Sequence, residues 1–268
     1  MATVSHTDRE ETTLLIPVRS DDATSSAQEW SPAVVEDLLD AVRSAPDDVL
    51  LVCDAPAARR VANAVRALSG TPVAVLLLER PVTRWSLHVT ALAGLAAHDL
   101  AFAPAVVRAV DEVVRTRVVL SGVGALADPS PGIGLHLLSW WPSTRFLVDL
   151  DRAEVLRTSQ MPAVEAARVV VAHSDKEVLL GADRALPSRR TEVAGGAWRA
   201  RRWLEVSEGP DDLATLAGSV VTGSRTRPCV VCARPVVDDA CPFCGVLHAD
   251  PWALDRPLPT PHPEGVRL

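Results

Sequence analysis

The sequence contains no tyrosine, and Lys176 is its only lysine among 27 basic residues. It has no Gly-Lys-Ser/Thr motif, which excludes the phosphate-binding loop of P-loop enzymes. No apolar run approaches the roughly 20 residues that a membrane-spanning helix needs. Residues 1–13 are polar and acidic, without the apolar stretch of a signal peptide. We therefore expect a cytoplasmic protein with no membrane partner.

The composition is that of a folded protein. The chain has 268 residues, of which 48% are hydrophobic and 23% charged, as in ordinary globular domains. Its formal net charge of -7 argues against a protein that coats nucleic acid indiscriminately or lies on anionic lipid. The excess of arginine over lysine is typical of a GC-rich bacterial genome, so by itself it does not indicate recognition chemistry.

Short apolar strands alternate with helical patterns over the first half of the chain. Val49–Cys53 and Val73–Leu78 are apolar throughout, which is typical of parallel strands covered on both faces. We predict an α/β fold, a mostly parallel sheet with helices on both faces. The predicted regions are a disordered tail (1–13), the α/β sheet domain (14–151), an α+β extension (152–224), a zinc ribbon (225–250) and a proline-rich tail (251–268).

Several local features are also predicted from this pattern. Apolar segments at 117–120 and 146–148 predict two further strands of the sheet domain. Residues 162–168 are expected to form a helix. Asp54, which directly follows the strand at 49–53, is predicted to cap the next helix.

Four of the five cysteines lie close together in the sequence. Two Cys-x-x-Cys pairs are separated by eight residues: Cys229, Cys232, Cys241 and Cys244. Four thiolates suit a tetrahedral Zn²⁺ ion. So short a unit cannot build its own core, so metal binding must supply its folding energy. Cys53 ends an apolar strand and is predicted to be a buried structural thiol.

The segment 227–247 resembles the short zinc ribbons found as appendages on many bacterial proteins, in which Cys-Pro-x-Cys-Gly forms the second knuckle. Ala233 departs from that pattern, because a glycine is common at its position in the first knuckle. The resemblance implies a structural Zn²⁺ and a role in binding protein or nucleic acid, or in stabilising a terminus. The all-cysteine ligand set agrees, since a catalytic zinc keeps an open coordination position.

Two weaker features allow a ligand site where strands end. The segment 121–127, with Gly122 and Gly124, matches the glycine-rich turn of dinucleotide-binding folds. Pro129 and Pro131 fall where the helix of that motif should run. Acidic residues at strand ends could instead converge on a metal or a sugar hydroxyl, although a helix cap and solvated strand ends are the favoured interpretation: Asp54, Glu79, Asp149 and Asp151.

Aromatic residues occur in two further segments. Residues 184–203 interleave arginine with tryptophan, as in single-strand nucleic-acid platforms. The alternative there is a half-buried strand pair. The candidate contacts are Arg199, Arg201, Arg202, Trp198 and Trp203. In the second segment, Trp140 and Trp141 are adjacent, which predicts either a packed corner or a contribution to an intermolecular contact.

The sequence contains no convincing catalytic set. We therefore predict a non-catalytic adaptor or assembly subunit that binds a protein partner through its zinc ribbon, with an oligomer allowed. Nucleic-acid binding through 184–203 and the ribbon is the first alternative. An enzyme with a nucleotide or metal site at the strand ends is the second.

Overall fold

The computed structural model describes residues 14–19, 32–141, 144–158, 163–174, 186–196 and 198–248. The predicted tails, 1–13 and 251–268, lie outside the described residues. The described part contains two sheets, six α-helices and a small two-stranded ribbon.

The first sheet is parallel, with strand order β1-β2-β3. Its central strand is buried throughout, and successive residues enter opposite cores. Leu51 packs among the residues beneath α1 and α2, whereas Leu50 and Val52 pack with α3 and α4. The elements are β1 (Leu14–Val18), α1 (Pro32–Ser44), β2 (Val49–Cys53), α2 (Pro56–Ser69), β3 (Val73–Leu77), α3 (Val82–Leu92) and α4 (Ala103–Val113).

The second sheet has six strands in the order β6-β5-β4-β9-β7-β8 and is antiparallel except between β7 and β8. Helix α5 (Ile133–Leu138) lies in the loop between β4 and β5. The strands are β4 (Arg115–Leu120), β5 (Phe146–Asp149), β6 (Glu154–Arg157), β7 (Arg168–His173), β8 (Thr191–Glu192) and β9 (Trp203–Gly209).

The α/β class is confirmed, with parallel pairing in β1–β3. The strands predicted at 117–120 and 146–148 exist as parts of β4 and β5, but they pair antiparallel in the second sheet rather than continuing the first. The connection between them holds only the six-residue helix α5. A parallel return needs a longer crossover, usually a full helix, so β5 runs back along β4.

Two local predictions are corrected. Residues 163–167 are not helical, and Arg168 begins β7. The apolar, β-branched run after Arg168 pairs along β9 instead. Asp54 is not the cap of α2: the N-cap is Ala55, and Pro56 occupies the first turn, where a missing N–H costs nothing.

The chain then passes through α6 (Leu213–Gly223), which packs on α3 and α4. The side chain of Asp212 caps this helix by accepting a hydrogen bond from the Thr215 backbone N–H at 2.8 Å. The short strands β10 (Arg227–Pro228) and β11 (Pro235–Val236) follow. None of the described helices is both long and apolar enough to cross a membrane.

The cysteine ribbon, residues 227–248, packs into the main core rather than projecting from it. Val236 and Phe243 are buried in the same apolar cluster as α3 and α4. The Val75 backbone N–H on β3 donates to Pro242 O at 3.0 Å, and Arg66 donates to Phe243 O at 3.1 Å. The ribbon therefore covers the β3 edge of the parallel sheet, which would otherwise present unpaired backbone groups.

Replacing Phe243 with alanine tests this packing. We expect Phe243→Ala to lower the free energy of unfolding by about 3 kcal/mol, because it leaves a cavity in the main core. Val230, 82% exposed in the same ribbon, provides the matched control, and Val230→Ala should change stability little. Urea unfolding followed by circular dichroism measures both. Equal stabilities for the two variants would show that the ribbon is only an appendage.

Candidate functional site

The four ribbon cysteines converge on one point. Their Sγ atoms all lie within 4.8 Å of one another. The Cys229–Cys244 and Cys232–Cys241 pairs are each 3.6 Å apart. Four sulfurs around one tetrahedral ion at about 2.3 Å would be separated by about 3.8 Å, so the geometry fits a metal site. The predicted metal ligands are thus brought together.

Both knuckles of the ribbon use the same backbone turn. Ala233 N–H donates to Cys229 O at 2.9 Å, and Gly245 N–H donates to Cys241 O at 2.8 Å. Ala233 has a φ of 58° and Gly245 a φ of 73°, so both lie in the left-handed region. Alanine therefore takes the conformation usual for glycine, at a cost of about 1 kcal/mol.

The thiols differ in their electrostatic surroundings. Burial raises the pKa of Cys229, but N–H groups of Cys232 and Val231 stabilise its thiolate and lower the pKa to about 6. Burial raises the pKa of Cys241 to about 12. Outside the ribbon, Cys53 is fully buried, as predicted, and burial with the neighbouring Asp54 raises its pKa to about 12.

A cleft of about 590 Å³ lies between the two sheets. Arg19, Asp54 and Arg80 line it, and they follow β1, β2 and β3. The cleft is therefore at the carboxyl ends of the parallel strands, where open α/β sheets usually bind ligands. The remaining lining residues come from the start of α3 and from the second sheet: Pro81, Val82, Trp85, Gly195, Gly196, Trp198 and Glu205.

Glu205 joins the second sheet to helix α3 and to the segment that precedes β9, beneath this cleft. It lies on β9 and is 1% exposed. One carboxylate oxygen accepts hydrogen bonds from the backbone N–H and the hydroxyl of Thr83, both at 2.7 Å. The other accepts from Trp198 Nε1 at 2.6 Å. Because Thr83 is in the first turn of α3, the helix dipole also stabilises the negative charge.

A chain of hydroxyl groups continues from Glu205 into the second sheet. Thr83 Oγ1 lies 2.7 Å from Ser207 Oγ, which lies 2.8 Å from Thr116 Oγ1. Since the Thr83 hydroxyl donates to Glu205, Ser207 must donate to Thr83 and Thr116 to Ser207. All three side chains are fully buried. The chain thus fixes α3, β4 and β9 relative to one another.

Trp85 supplies a buried donor in the cleft lining. It is 7% exposed, and its indole Nε1 has no hydrogen-bond acceptor among the described residues. The Arg19 guanidinium lies over its ring, 5.8 Å from the centroid, and donates to Ala194 O at 3.5 Å. A buried donor without an acceptor is costly, so an acceptor supplied by a ligand would stabilise this site.

The wall opposite Trp85 depends on glycine. Gly195 and Gly196 have φ values of 97° and 110°. A Cβ atom at Gly196 would lie 2.6 Å from the Trp203 ring, closer than atoms can approach. The chain can pass between Trp203 and the cleft only because this residue has no side chain.

An ion-pair network supports the cleft on the α3 side. Arg80 Nη2 lies 2.8 Å from Asp111 Oδ2, and Arg84 Nε lies 3.1 Å from Asp111 Oδ1. Arg84 Nη1 also lies 2.6 Å from Asp151 Oδ1. Although burial opposes it, the hydrogen bond from Arg80 and the nearby positive charges hold the pKa of Asp111 below its usual value. The network therefore fixes Arg80 at the mouth of the cleft.

The acidic strand ends do not converge. Asp54 lines the cleft, whereas Glu79 lines a neighbouring pocket. Asp151 binds Arg84, and Asp149 accepts from the backbone N–H groups of the following turn. Within the described residues, one group of three or more histidine, cysteine, aspartate or glutamate side chains is placed to share a metal ion. This group is the four ribbon cysteines.

The glycine-rich segment does not form a dinucleotide-binding turn. No helix begins at Gly122 or Gly124, and α5 starts only at Ile133. The pyrophosphate-binding helix N-terminus is thus missing. The segment instead lines a small pocket of about 400 Å³ beside Trp198.

The predicted nucleic-acid residues do not form a stacking platform. Trp203 is 8% exposed and packs in the core of the second sheet. Trp198 is half-buried, and its indole N–H is bound to Glu205. The three arginines of the segment are exposed: Arg199, Arg201 and Arg202. Without accessible rings, the arginines alone do not bind bases by stacking.

Sequence reasoning missed the central residues of the cleft. Glu205 had a usable signal, because an acid within the apolar strand Trp-Leu-Glu-Val is unusual and must be paired when buried. Arg19 and Trp85 had none, since they are distant in sequence from Glu205 and meet it only through the packing of the two sheets.

Among known proteins, this chain has a distant structural similarity to several solved structures. No protein-family model and no curated protein matches the chain. The similar solved structures include the following three. One is a DegV family protein from Eubacterium eligens loaded with heptadecanoic acid (10% identity, TM-score 0.40, 75% of this chain and 100% of that one). Another is a DegV family protein from Corynebacterium glutamicum (13%, 0.39, 75% and 98%). The third is a Thermotoga maritima protein described as revealing fatty acid binding (9%, 0.38, 74% and 99%).

The adaptor function predicted from the sequence is wrong, and neither alternative replaces it. The ribbon that was to present a binding surface is packed into the core. Of the tryptophans proposed to contact nucleic acid, Trp203 is buried and Trp198 is hydrogen-bonded to Glu205. The acidic residues at the strand ends do not converge on one site.

Glu205 provides a direct test of the site's architecture. Glu205→Gln keeps the shape but replaces one acceptor oxygen with an amide NH₂, so at least one of the three donors loses its acceptor and we expect a loss of about 2 kcal/mol in unfolding free energy. Glu192, exposed on β8 of the same sheet, is the control, and Glu192→Gln should be neutral. Chemical denaturation measures both. If Glu205→Gln were also neutral, the carboxylate would not hold α3 and the Trp198 segment against the second sheet.

Proposed function

We propose that this protein binds a small organic acid with an apolar body in the cleft between its two sheets. The observation that carries the proposal is the buried indole N–H of Trp85, which lacks an acceptor among the described residues. The same class of ligand is supported by the position of the cleft at the carboxyl ends of the parallel strands, by the Arg19 side chain and by the neighbouring apolar surfaces.

Trp85 and Arg19 together favour an acid group on the ligand. A carboxylate oxygen offers the acceptor that Trp85 Nε1 lacks, and its charge is compensated by the guanidinium above the Trp85 ring. Hydrogen bonds between a charged and a neutral partner are stronger than those between neutral groups. A ligand with an alcohol in place of the acid would keep the hydrogen bond but lose this charge pairing.

The apolar body is assigned by the rest of the lining. Pro81, Val82 and Trp198 supply apolar surface on both sides of the cleft. Binding pockets are usually apolar with a few well-placed polar groups. The Glu205 carboxylate also lines the cleft, but both of its oxygens already accept hydrogen bonds from Thr83 and Trp198 within the protein.

Calorimetry with matched ligands tests the proposal. We expect dodecanoic acid to bind to the protein and dodecanol to bind at least about tenfold more weakly, because the alcohol lacks the charge. Heptadecanoic acid and naphthoic acid extend the probes to a longer chain and to a flat ring. Failure of every acid to bind would contradict the proposed function.

Two variants locate the site. Trp85→Phe keeps the ring but removes the N–H, and Arg19→Gln removes the charge; each should weaken acid binding about tenfold. Trp140→Phe and Arg59→Gln, which alter exposed side chains outside the cleft, are the matched controls. Unchanged affinity in Trp85→Phe and Arg19→Gln would place the ligand elsewhere.

We also propose that the metal of the ribbon is Zn²⁺. Four thiolate ligands in a closed tetrahedral arrangement favour zinc, and the position of the ribbon in the core supports a structural role. Since reduced thiols are needed for this site, it supports the expected cytoplasmic location.

Metal analysis distinguishes the ribbon from the remaining cysteine. The purified protein should contain one zinc per chain, and Cys232→Ser should lose it together with several degrees of thermal stability, because metal binding contributes to folding. Cys53→Ala should retain the zinc, since Cys53 lies outside the cluster. Mass spectrometry under native conditions measures the content. Zinc retained by Cys232→Ser would refute the four-cysteine site.

A further inference from the structure

Helix α5 and the turn after it expose a row of large apolar side chains. Leu135 and Leu138 pack inward against the second sheet, whereas the opposite side faces outward. Backbone bonds from Trp140 to Leu137 and from Trp141 to Leu138 continue the helical turn. We call this surface the Trp140 face; its members and exposed fractions are Ile133 (82%), Leu137 (57%), Trp140 (83%) and Trp141 (68%).

The Trp140 face has the character of a membrane-contacting surface. Its residues are spaced by four, three and one positions, so they share one side of the helical path. The segment 129–141 contains no acidic residue, lysine or arginine. Tryptophan is enriched where protein meets the boundary between lipid headgroups and acyl chains. Exposing two adjacent tryptophans to water alone is unfavourable.

Positive charge lies at the same end of the second sheet. Arg157 pairs with Phe146 at the start of β5, shortly after Trp141. Arg202 O accepts from Ser121 N–H at 3.0 Å, in the loop that precedes α5. Arg157, Arg201 and Arg202 are exposed and make no ion pair with a described residue. Asp128 is the single acid in the loop 121–132.

We propose that the Trp140 face docks this protein onto an anionic phospholipid bilayer. The tryptophans insert among the headgroups while the three arginines meet the lipid phosphates. A symmetric dimer through the same face would instead place two arginine clusters against each other. The overall charge of -7 led us to expect no membrane partner, but attraction to a surface acts over about a Debye length and depends on the local charge. The proposal is independent of the ligand proposed for the cleft.

Vesicle sedimentation tests this docking. The full chain should bind vesicles of phosphatidylglycerol and phosphatidylcholine, bind pure phosphatidylcholine vesicles about tenfold less, and dissociate as salt rises. Trp140→Ser/Trp141→Ser should lose about tenfold in affinity, as should Arg157→Gln/Arg201→Gln/Arg202→Gln. Leu68→Ser/Val113→Ser, which changes exposed apolar residues of other helices, is the matched control. Circular dichroism establishes that each variant is folded.

Three results would overturn the proposal. The first is failure of the wild-type chain to bind the anionic vesicles. The second is unchanged binding by the folded double-tryptophan variant. The third is a concentration-dependent dimer that the tryptophan substitutions abolish while vesicle binding is absent, which would assign the Trp140 face to a second copy of the chain.

Discussion

The buried carboxylate of Glu205 is the interaction on which the position of α3 against the second sheet depends. An ionisable group with 1% exposure must be fully hydrogen-bonded. Its three donors come from Thr83 at the start of α3 and from Trp198 beyond the second sheet. Any movement of α3 or of the Trp198 segment relative to β9 would break these bonds. The cleft above Glu205 therefore has a fixed floor, and its walls are held by residues from both sheets.

A second constraint comes from the metal ribbon. Within the described part of the chain the parallel sheet has three strands, and its β3 edge would be open without the ribbon. Pro242 accepts from the β3 backbone, and Phe243 fills the adjoining core. A metal bound by the four cysteines would thus stabilise more than the ribbon itself, because the ribbon supplies part of the main core. This placement explains why a unit that resembles an appendage in sequence serves the fold here.

The sequence predicts what is encoded locally. The apolar runs of β2 and β3 and the spacing of the ribbon cysteines are short-range patterns, and the structure contains them. Strand pairing is not local. The apolar patterns of β4 and β5 are compatible with parallel or antiparallel pairing, and the shortness of α5 between them is what favours the antiparallel arrangement. The cleft was not predictable for the same reason. Arg19, Trp85 and Glu205 are far apart in the chain, and no spacing rule connects them.

The central claim is that an acid group binds to the indole N–H of Trp85. The protein has seven tryptophans, so its indole ¹H–¹⁵N spectrum is simple, and Trp85→Phe assigns the relevant signal. Titration with dodecanoic acid should shift the Trp85 indole proton downfield, as expected for a new hydrogen bond to a carboxylate, and move the signal of Trp198 by contact. Saturable binding that leaves the Trp85 indole signal unmoved would contradict the account.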